Sequence, residues 1–225
     1  MLVLSMDVGL FNMGLVMVQV NVEDNSIDHV LECKQINIKE LVEYCDLPNC
    51  KLRHSLCAAD YMYHLFEKYS HLFEKADVIL IERQPPQGFT CIQEITNFNY
   101  RSKVVMIAPQ KMHNYFNMQG LTYERRKQFT VKYAQRWLQG FEDFSLERNH
   151  DISDAMCMVI YYLWILSENE LLQERAQEMA PAIAEFEQFR YTPSCVGRRP
   201  RFPQRENSCR AESPSYTECA TRHEN

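Results

Sequence analysis

The chain opens on an almost unbroken apolar run, "LVLSMDV" (2–8), closed by Gly9, and a second run, "GLVMVQV" (14–20), follows closely. Runs this short and this rich in branched side chains predict buried strands, and their proximity predicts a hairpin. "SIDHVLECKQINI" (26–38) alternates raggedly and predicts a third strand, so the chain is expected to begin as an antiparallel meander. After a loop with Pro48, residues 52–76 carry Leu56, Ala59, Met62, Leu65, Phe66, Tyr69 and Phe73 at helical spacing and predict one helix of about six turns. "DVILIE" (77–82) predicts a buried strand stopped by Pro85-Pro86, "CIQEITNFNY" a helix, and "KVVMIAP" (103–109) another buried strand. "TYERRKQFTVKYAQRWLQG" (122–140) predicts an amphipathic helix ended by Gly140. "NHDISDAMCMVIYYLWIL" (149–166) opens with two aspartates and then turns apolar, which predicts a core helix. A further amphipathic stretch, 168–189, is interrupted by Pro181. From 191 onward Pro, Ser, Arg, Glu and Cys dominate, predicting a disordered tail over 191–225 behind a folded domain of 1–190. The order of elements predicts an α/β fold: a mixed five-stranded sheet, its first three strands antiparallel and the later ones parallel, flanked by helices.

Composition narrows this picture. The chain has 225 residues, 46% of them hydrophobic, enough for one sizeable core. The longest apolar run, Ala155–Leu166, falls short of the ~18–20 residues of a membrane span. "MLVLSMDVG" has neither a basic lead-in nor a small-residue cleavage site, so an intracellular protein with no membrane partner is expected. The nine cysteines are then expected to be reduced thiols. One window, "CDLPNCKLRHSLC", gathers Cys45, Cys50, His54 and Cys57. Two readings stand: a structural zinc site, or ordinary thiols, the plainer reading because the spacing matches no common finger and lacks C-x-x-C. Net charge is −6, unfavourable for nucleic acid at first sight, but it is uneven. Residues 190–225 hold seven Arg against four Glu, a balance of +3 that leaves −9 for residues 1–189.

Three places carry carboxylates out of keeping with their surroundings. Asp7 lies inside the first strand, Glu82 ends the "VILIE" strand, and Asp151 and Asp154 begin the core helix. Singly, each has a plain explanation: a strand end, a solvated edge, and a capped helix whose N-terminus favours acids. Together they point elsewhere. Strand ends of an α/β sheet converge on one edge, and helix starts lie beside them. Four carboxylates meeting there raise one another's pKa unless a cation intervenes, and oxygen-only ligands favour Mg²⁺ or Mn²⁺. Such clusters activate water for phosphodiester cleavage.

These residues also carry a resemblance. "SMDVGLFNMGLVMV", with Asp7, Gly9, Asn12 and Gly14, resembles the first hairpin of the RuvC-type Holliday junction resolvases of the ribonuclease H-like superfamily. The likeness is to the branch of poxviruses, other large DNA viruses and mitochondria. "VILIERQPP", with Glu82 and Gln84, is similar to the second motif, and "HDISDAM" to the third, so the resemblance spans residues 2–165. It implies a ribonuclease H-like fold and a catalytic, metal-binding tetrad of Asp7, Glu82, Asp151 and Asp154. It also implies two Mg²⁺ ions per site (Mn²⁺ substituting), no small-molecule cofactor, and symmetric paired nicks in four-way DNA junctions by a homodimer. In a viral setting the work would fall in the host cytoplasm or nucleus, at sites of viral DNA replication. One departure stands out. Members often carry a Lys and paired acids before the final Asp, whereas this chain has Asn149 and His150. His150 is therefore a candidate ligand or proton shuttle, or a bystander.

DNA-contacting candidates are Lys111, beyond a strand end, Arg83 and Gln84 beside Glu82, and Lys103 and Arg101. A basic stretch of Arg125, Arg126, Lys127, Lys132 and Arg136 lies along one predicted helix, a pattern equally suited to a solvated face. Three rival readings stand beside this one. An actin-like sugar or acetate kinase would need two such domains and Gly-rich phosphate loops, but the chain has six glycines and room for one domain. A related nuclease acting on flaps, forks or RNA–DNA hybrids would carry the same tetrad. A non-catalytic DNA-binding protein on the same fold would not need to keep all four carboxylates.

Overall fold

The computed structural model describes residues 1–9, 11–86, 88, 90–145 and 149–190. Its strands are β1 (Leu2–Asp7), β2 (Met13–Asn21), β3 (Ser26–Ile36), β4 (Val78–Glu82) and β5 (Val104–Ile107). They form one sheet in the order β3-β2-β1-β4-β5. The hairpins β1–β2 and β2–β3 are antiparallel, and β4 and β5 run parallel to β1. This is the mixed sheet that the element order predicted. The raggedness of 26–38 has a cause: the β2–β3 register shifts at Met17/Val18 and again at Gln19/Val20, so the alternation slips where the strand bulges.

The pleat sorts the side chains into two cores. Leu4 and Met6 of β1 and Ile79 and Ile81 of β4 face one layer, built from α1 (Glu40–Glu43), α2 (Ala58–Lys68), α3 (Ser70–Lys75) and α4 (Thr90–Asn99). Val3 of β1, Val16, Val18 and Val20 of β2, and Leu80 of β4 face the other layer. That layer is built from α5 (Pro109–Tyr115), α6 (Tyr123–Leu138) and the first turns of α7 (His150–Arg190). Each fully buried Val, Leu, Ile or Met contributes about 1.5–3 kcal/mol. The parity has a consequence for chemistry. Asp7 falls on the same face as Val3, and Glu82 on the same face as Leu80, so both carboxylates belong to the face that α7 covers.

α7 is the post of that layer. Ile152, Ala155, Met156, Cys157, Met158 and Val159 are at most 1% exposed. The buried Ser5 hydroxyl donates to the Ala155 carbonyl at 2.7 Å, tying β1 to the helix. Segment His150–Gln173 is long and apolar enough to cross a membrane by length and composition alone, which the count of uninterrupted apolar residues did not register. Its buried positions pack against the sheet, as in a core helix.

Several boundaries differ from the sequence-based expectation. The helix expected over 52–76 is two: α2 starts only at Ala58, and Tyr69 (φ −112, ψ 23) separates it from α3. The start is delayed because Leu56 takes a left-handed φ of 49 and Asp60 accepts the Ser55 amide at 2.8 Å, a local turn that competes with helix. Pro109 does not end β5; it stands at the first position of α5, where its missing N–H costs nothing. The break expected at Pro181 is absent from α7, which continues as one helix to Arg190. A proline removes one ladder hydrogen bond, and helix can resume beyond it. The chain divides into compact units at Met1–Glu178 and Met179–Asn225, and the site below belongs to the first. The tail expected over 191–225 lies outside the described residues.

Candidate active site

β1 and β4 are parallel and in register, Met6 opposite Ile81, so both strands end at the same edge of the sheet. Asp7 and Glu82 are their last residues. Asp7 pairs with Gly14 on β2, and Gly14 is where α7 comes down. A Cβ there would stand 2.1 Å from the Asp151 backbone carbonyl oxygen. The absent side chain lets the first turn of α7 rest on β2 and brings Asp151 and Asp154 to the edge. Gly9 serves the same corner: its Cβ would meet the Asn12 carbonyl oxygen at 2.3 Å, so the β1–β2 turn closes only around glycine.

The result is a cavity of about 230 Å³ lined by Asp7, Glu82, Asp154, Lys127, Arg126 and His113, among others. Lys127 Nζ bonds the Asp154 carboxylate and lies 3.8 Å from Asp151 Oδ1. Gln84 Nε2 donates to Glu82 Oε2 at 3.0 Å, and the Gln84 amide donates to Gln93 Oε1 at 2.9 Å, so Glu82 is aimed by a side chain that is itself held. His150 Nε2 lies 3.3 Å from Asp151 Oδ1, on the flank away from Asp7 and Glu82. There it lines a second hollow with Lys127 and Asn149.

Electrostatics follow from this crowding. Burial first, then the charges of Asp154, Glu82 and Asp151, push the Asp7 carboxyl well above its usual range, against the pull of Lys127. Burial and Asp154 raise Glu82, partly offset by the Gln84 hydrogen bond and Lys127. Lys127 is desolvated, which alone would lower it, yet Asp154 and Asp7 hold it above its ordinary value. Burial and the neighbouring Arg126 lower the His113 pKa, against the pull of Asp154. Carboxylates that resist ionisation around a small cavity have the donor chemistry of a hard divalent-cation site. Asp7, Glu82, Asp154 and Asp151 are the residues that would hold such ions.

The DNA-contacting candidates divide. Arg126 lines the cavity, braced by its bond to the Leu121 carbonyl at 2.8 Å. Lys127 does not lie on a solvated helix face: it shares the inward stripe of Thr130, Ala134 and Leu138 and is spent on the carboxylates. Arg125 and Lys132 are exposed on the same helix, and Arg136 stacks on Trp137, 3.6 Å from its ring centroid. Arg83 and Arg101 are exposed, and Gln84 is bound to Glu82. Lys111 is exposed on α5, but its neighbours Met112 and His113 face the cavity instead. Lys103 stands apart from these. It precedes β5, at the edge opposite the carboxylates, and its ammonium donates to the Phe73 and Glu74 carbonyls at 3.3 and 2.7 Å. The cysteine window is corrected: Cys57 is exposed at the N-cap of α2, and His64 gathers with Cys45, Cys50 and His54 in its place. All six described cysteines are free. Sequence reasoning missed His113. The available signal was its position two residues after Lys111, on the helix that follows β5 at the carboxylate edge.

Residues 1–168 match the family model of the poxvirus A22 protein. The chain belongs to that family. Its fold is similar to that of the fowlpox virus resolvase crystallised with Holliday junction DNA, at 13% identity and a TM-score of 0.52, covering 74% of this chain and 99% of that one. It is also similar to the yeast mitochondrial Holliday junction resolvase, at 14% identity and a TM-score of 0.53, covering 79% and 85%. No curated protein matches the sequence. These likenesses agree with the mixed five-stranded sheet flanked by helices that the element order predicted.

Proposed function

We propose that this chain is a metal-dependent endonuclease that cuts four-way DNA junctions by paired nicks. The observation that carries this reading is the convergence of Asp7, Glu82, Asp151 and Asp154 at one sheet edge, on a fold shared with resolvases. Asp7, Glu82, Asp151 and Asp154 would hold divalent cations, Mg²⁺ with Mn²⁺ substituting and two per site, and the chemistry these would supply is polarisation of the phosphate and a lowered pKa of water. The chain's own residues set the geometry. Asp7 is central, flanked by Glu82 on the neighbouring strand, with Gln84 fixing the Glu82 carboxylate in one orientation. Lys127 offsets the charge of Asp154 and Asp151, which lets four acids share one edge before a cation arrives. Arg126 on the cavity wall is placed to take a phosphate oxygen, and exposed Arg125, Lys132 and Lys111 extend the positive rim. His150 touches Asp151 and orients it, acting as a positioning residue.

A four-way junction is two-fold symmetric, and paired nicks require two sites about a matching axis, so the working form is a homodimer. Family membership supports action on branched or concatemeric viral DNA in infected cells, where such DNA is replicated. The test offers a synthetic four-way junction, a flap and a linear duplex to the full chain, with Mg²⁺ or Mn²⁺. Symmetric cuts in the junction are expected, with the Asp7→Asn variant slowed by roughly a hundredfold or more while still binding. Full-rate cutting by that variant would sink the site assignment, and faster cutting of the flap would move the substrate to another branched class.

A further inference from the structure

The connection between α1 and α2 runs Tyr44–Cys57 without helix or strand, and no residue from 43 to 59 is buried. A stretch of that length with no apolar side chain in the core needs another anchor to hold one conformation. Two of its residues also adopt left-handed backbone, Asn49 (φ 54) and Leu56 (φ 49), so the loop is specifically shaped.

The anchor is present as chemistry. The ligand atoms of Cys45, Cys50, His54 and His64 all lie within 4.8 Å of one another. His64 reaches them from α2 and is fully buried. Its Nδ1 lies 2.7 Å from the Asp60 carbonyl oxygen, which can only accept, so Nδ1 carries the proton and the Nε2 lone pair faces the cluster. A metal-bound imidazole is held in this way, its far nitrogen donating to a carbonyl. His64 Nε2 lies 3.3 Å from His54 Nε2 and 3.7 Å from Cys50 Sγ. Tetrahedral zinc, with bonds of ~2.0–2.1 Å to nitrogen and ~2.3 Å to sulfur, separates two nitrogens by about 3.3 Å and a nitrogen from a sulfur by about 3.6 Å. Asp60, whose carbonyl fixes His64, is itself held by the Ser55 amide and hydroxyl.

We infer that Cys45, Cys50, His54 and His64 form a structural zinc site that holds the α1–α2 loop against the start of α2. The ligands are separated by four, three and nine residues, a spacing that no common finger shares. Sulfur and imidazole select zinc over the hard cations suited to Asp7 and Glu82, and four protein ligands close the site to substrate, as in structural rather than catalytic centres. A Cys45–Cys50 disulfide fits less well, because it would leave two imidazole nitrogens converging on nothing. Cys57 stays outside: its sulfur lies 3.5 Å from the Ser55 hydroxyl oxygen, whose proton goes to Asp60, on the exposed cap of α2.

The test uses the full chain, purified without metal-affinity resin or chelator, with metal content read by elemental mass spectrometry. One zinc per chain is expected in the parent and in Cys57→Ser. His54→Ala, at an exposed position, and Cys50→Ser should each bind zinc at least about a hundredfold more weakly. Cobalt in place of zinc should give the strong thiolate-to-metal absorption that carboxylates cannot give, which separates this site from the cavity at Asp7. Chelation should lower the parent's Tm and leave that of His54→Ala where it is. Three results would overturn the inference: reduced protein that takes up no zinc, zinc retained by both ligand variants, or zinc lost in Cys57→Ser. None of these bears on junction cleavage, so this inference and the nuclease reading stand or fall separately.

Discussion

The two ends of the β1–β4 pair carry the same kind of side chain and use it in opposite ways. At the starting end, Asp77 accepts the Leu2 amide at 2.7 Å while its own amide donates to the Leu2 carbonyl at 2.8 Å. Lys103 beside it caps the last carbonyls of α3. Each polar group there is answered by backbone, in or near water. At the finishing end, Asp7 and Glu82 occupy the matching strands but face a cavity shared with Asp154, and their carboxyls are pushed up. Acid at a strand end is thus no sign of function. An acid that meets further acids, with Lys127 as their bonded counter-charge, is.

The contrast depends on α7 reaching the finishing end, so the largest predicted effect is at Gly14. Gly14→Ala would drive a methyl group to 2.1 Å from the Asp151 carbonyl oxygen, a backbone atom that cannot swing aside. The helix start must lift or β2 must distort, costing on the order of 3 kcal/mol or more and displacing two of the four carboxylates. Thermal unfolding should show the loss of stability, and cleavage should fail even in a population that remains folded. A Gly14→Ala protein with the parent's Tm and rate would mean that the first turn of α7 is not seated on β2.

Next in size is Asp7→Asn, where stability and activity should move in opposite directions. The folded Asp7 pKa is raised, so as pH rises through the ordinary carboxylate value the unfolded chain gives up its proton first. The metal-free folded state therefore loses stability over that window, and the penalty is complete once the folded Asp7 has ionised. Replacing Asp7 with Asn removes it: Tm without metal should rise by a few degrees at neutral pH and hardly change near pH 3. Excess Mg²⁺ should stabilise the parent more than the variant. A Tm that falls at neutral pH would place Asp7 among satisfied strand-end acids such as Asp77, and the contrast between the two edges would be lost.

The sequence revealed the acids more readily than the bases, for a physical reason. Asp7 stands out inside an apolar run, Glu82 at the end of one, and Asp151 and Asp154 at the start of one, and four of the five strands stand out because short apolar runs have few other uses. Lys127 sits among Arg125, Arg126 and Lys132, and a run of cations on an amphipathic helix looks solvated. Only its place in the stripe of Thr130, Ala134 and Leu138 marks it as inward. Lys103 and Lys111 flank the same parallel strand, and a Lys before that strand stands at the end away from the carboxylates. The 52–76 helix was overextended because Leu56 fits the helical period, while its left-handed backbone and the Ser55–Asp60 turn arise from the loop's own hydrogen bonds. Cys57 is nearer to Cys45, Cys50 and His54 in sequence, whereas His64, one helical stretch further on, is the residue that gathers with them in space.

The smallest predicted effect is the sharpest test of the contrast, because it concerns a cation that ought not to matter to DNA. Lys103→Ala removes an ammonium from the C-terminal carbonyls of α3, worth about 0.3–1 kcal/mol. It leaves the carboxylate edge untouched. Junction affinity and its dependence on salt should stay at the parent's values. Arg126→Ala, at the cavity wall, should weaken junction binding across sequences and reduce the salt slope by about one. Titrating both variants at several salt concentrations separates the two edges by charge alone, with no cleavage needed. An equal fall in slope for both would mean that DNA wraps the starting end as well, and that position along a parallel strand does not decide which basic residues meet phosphate.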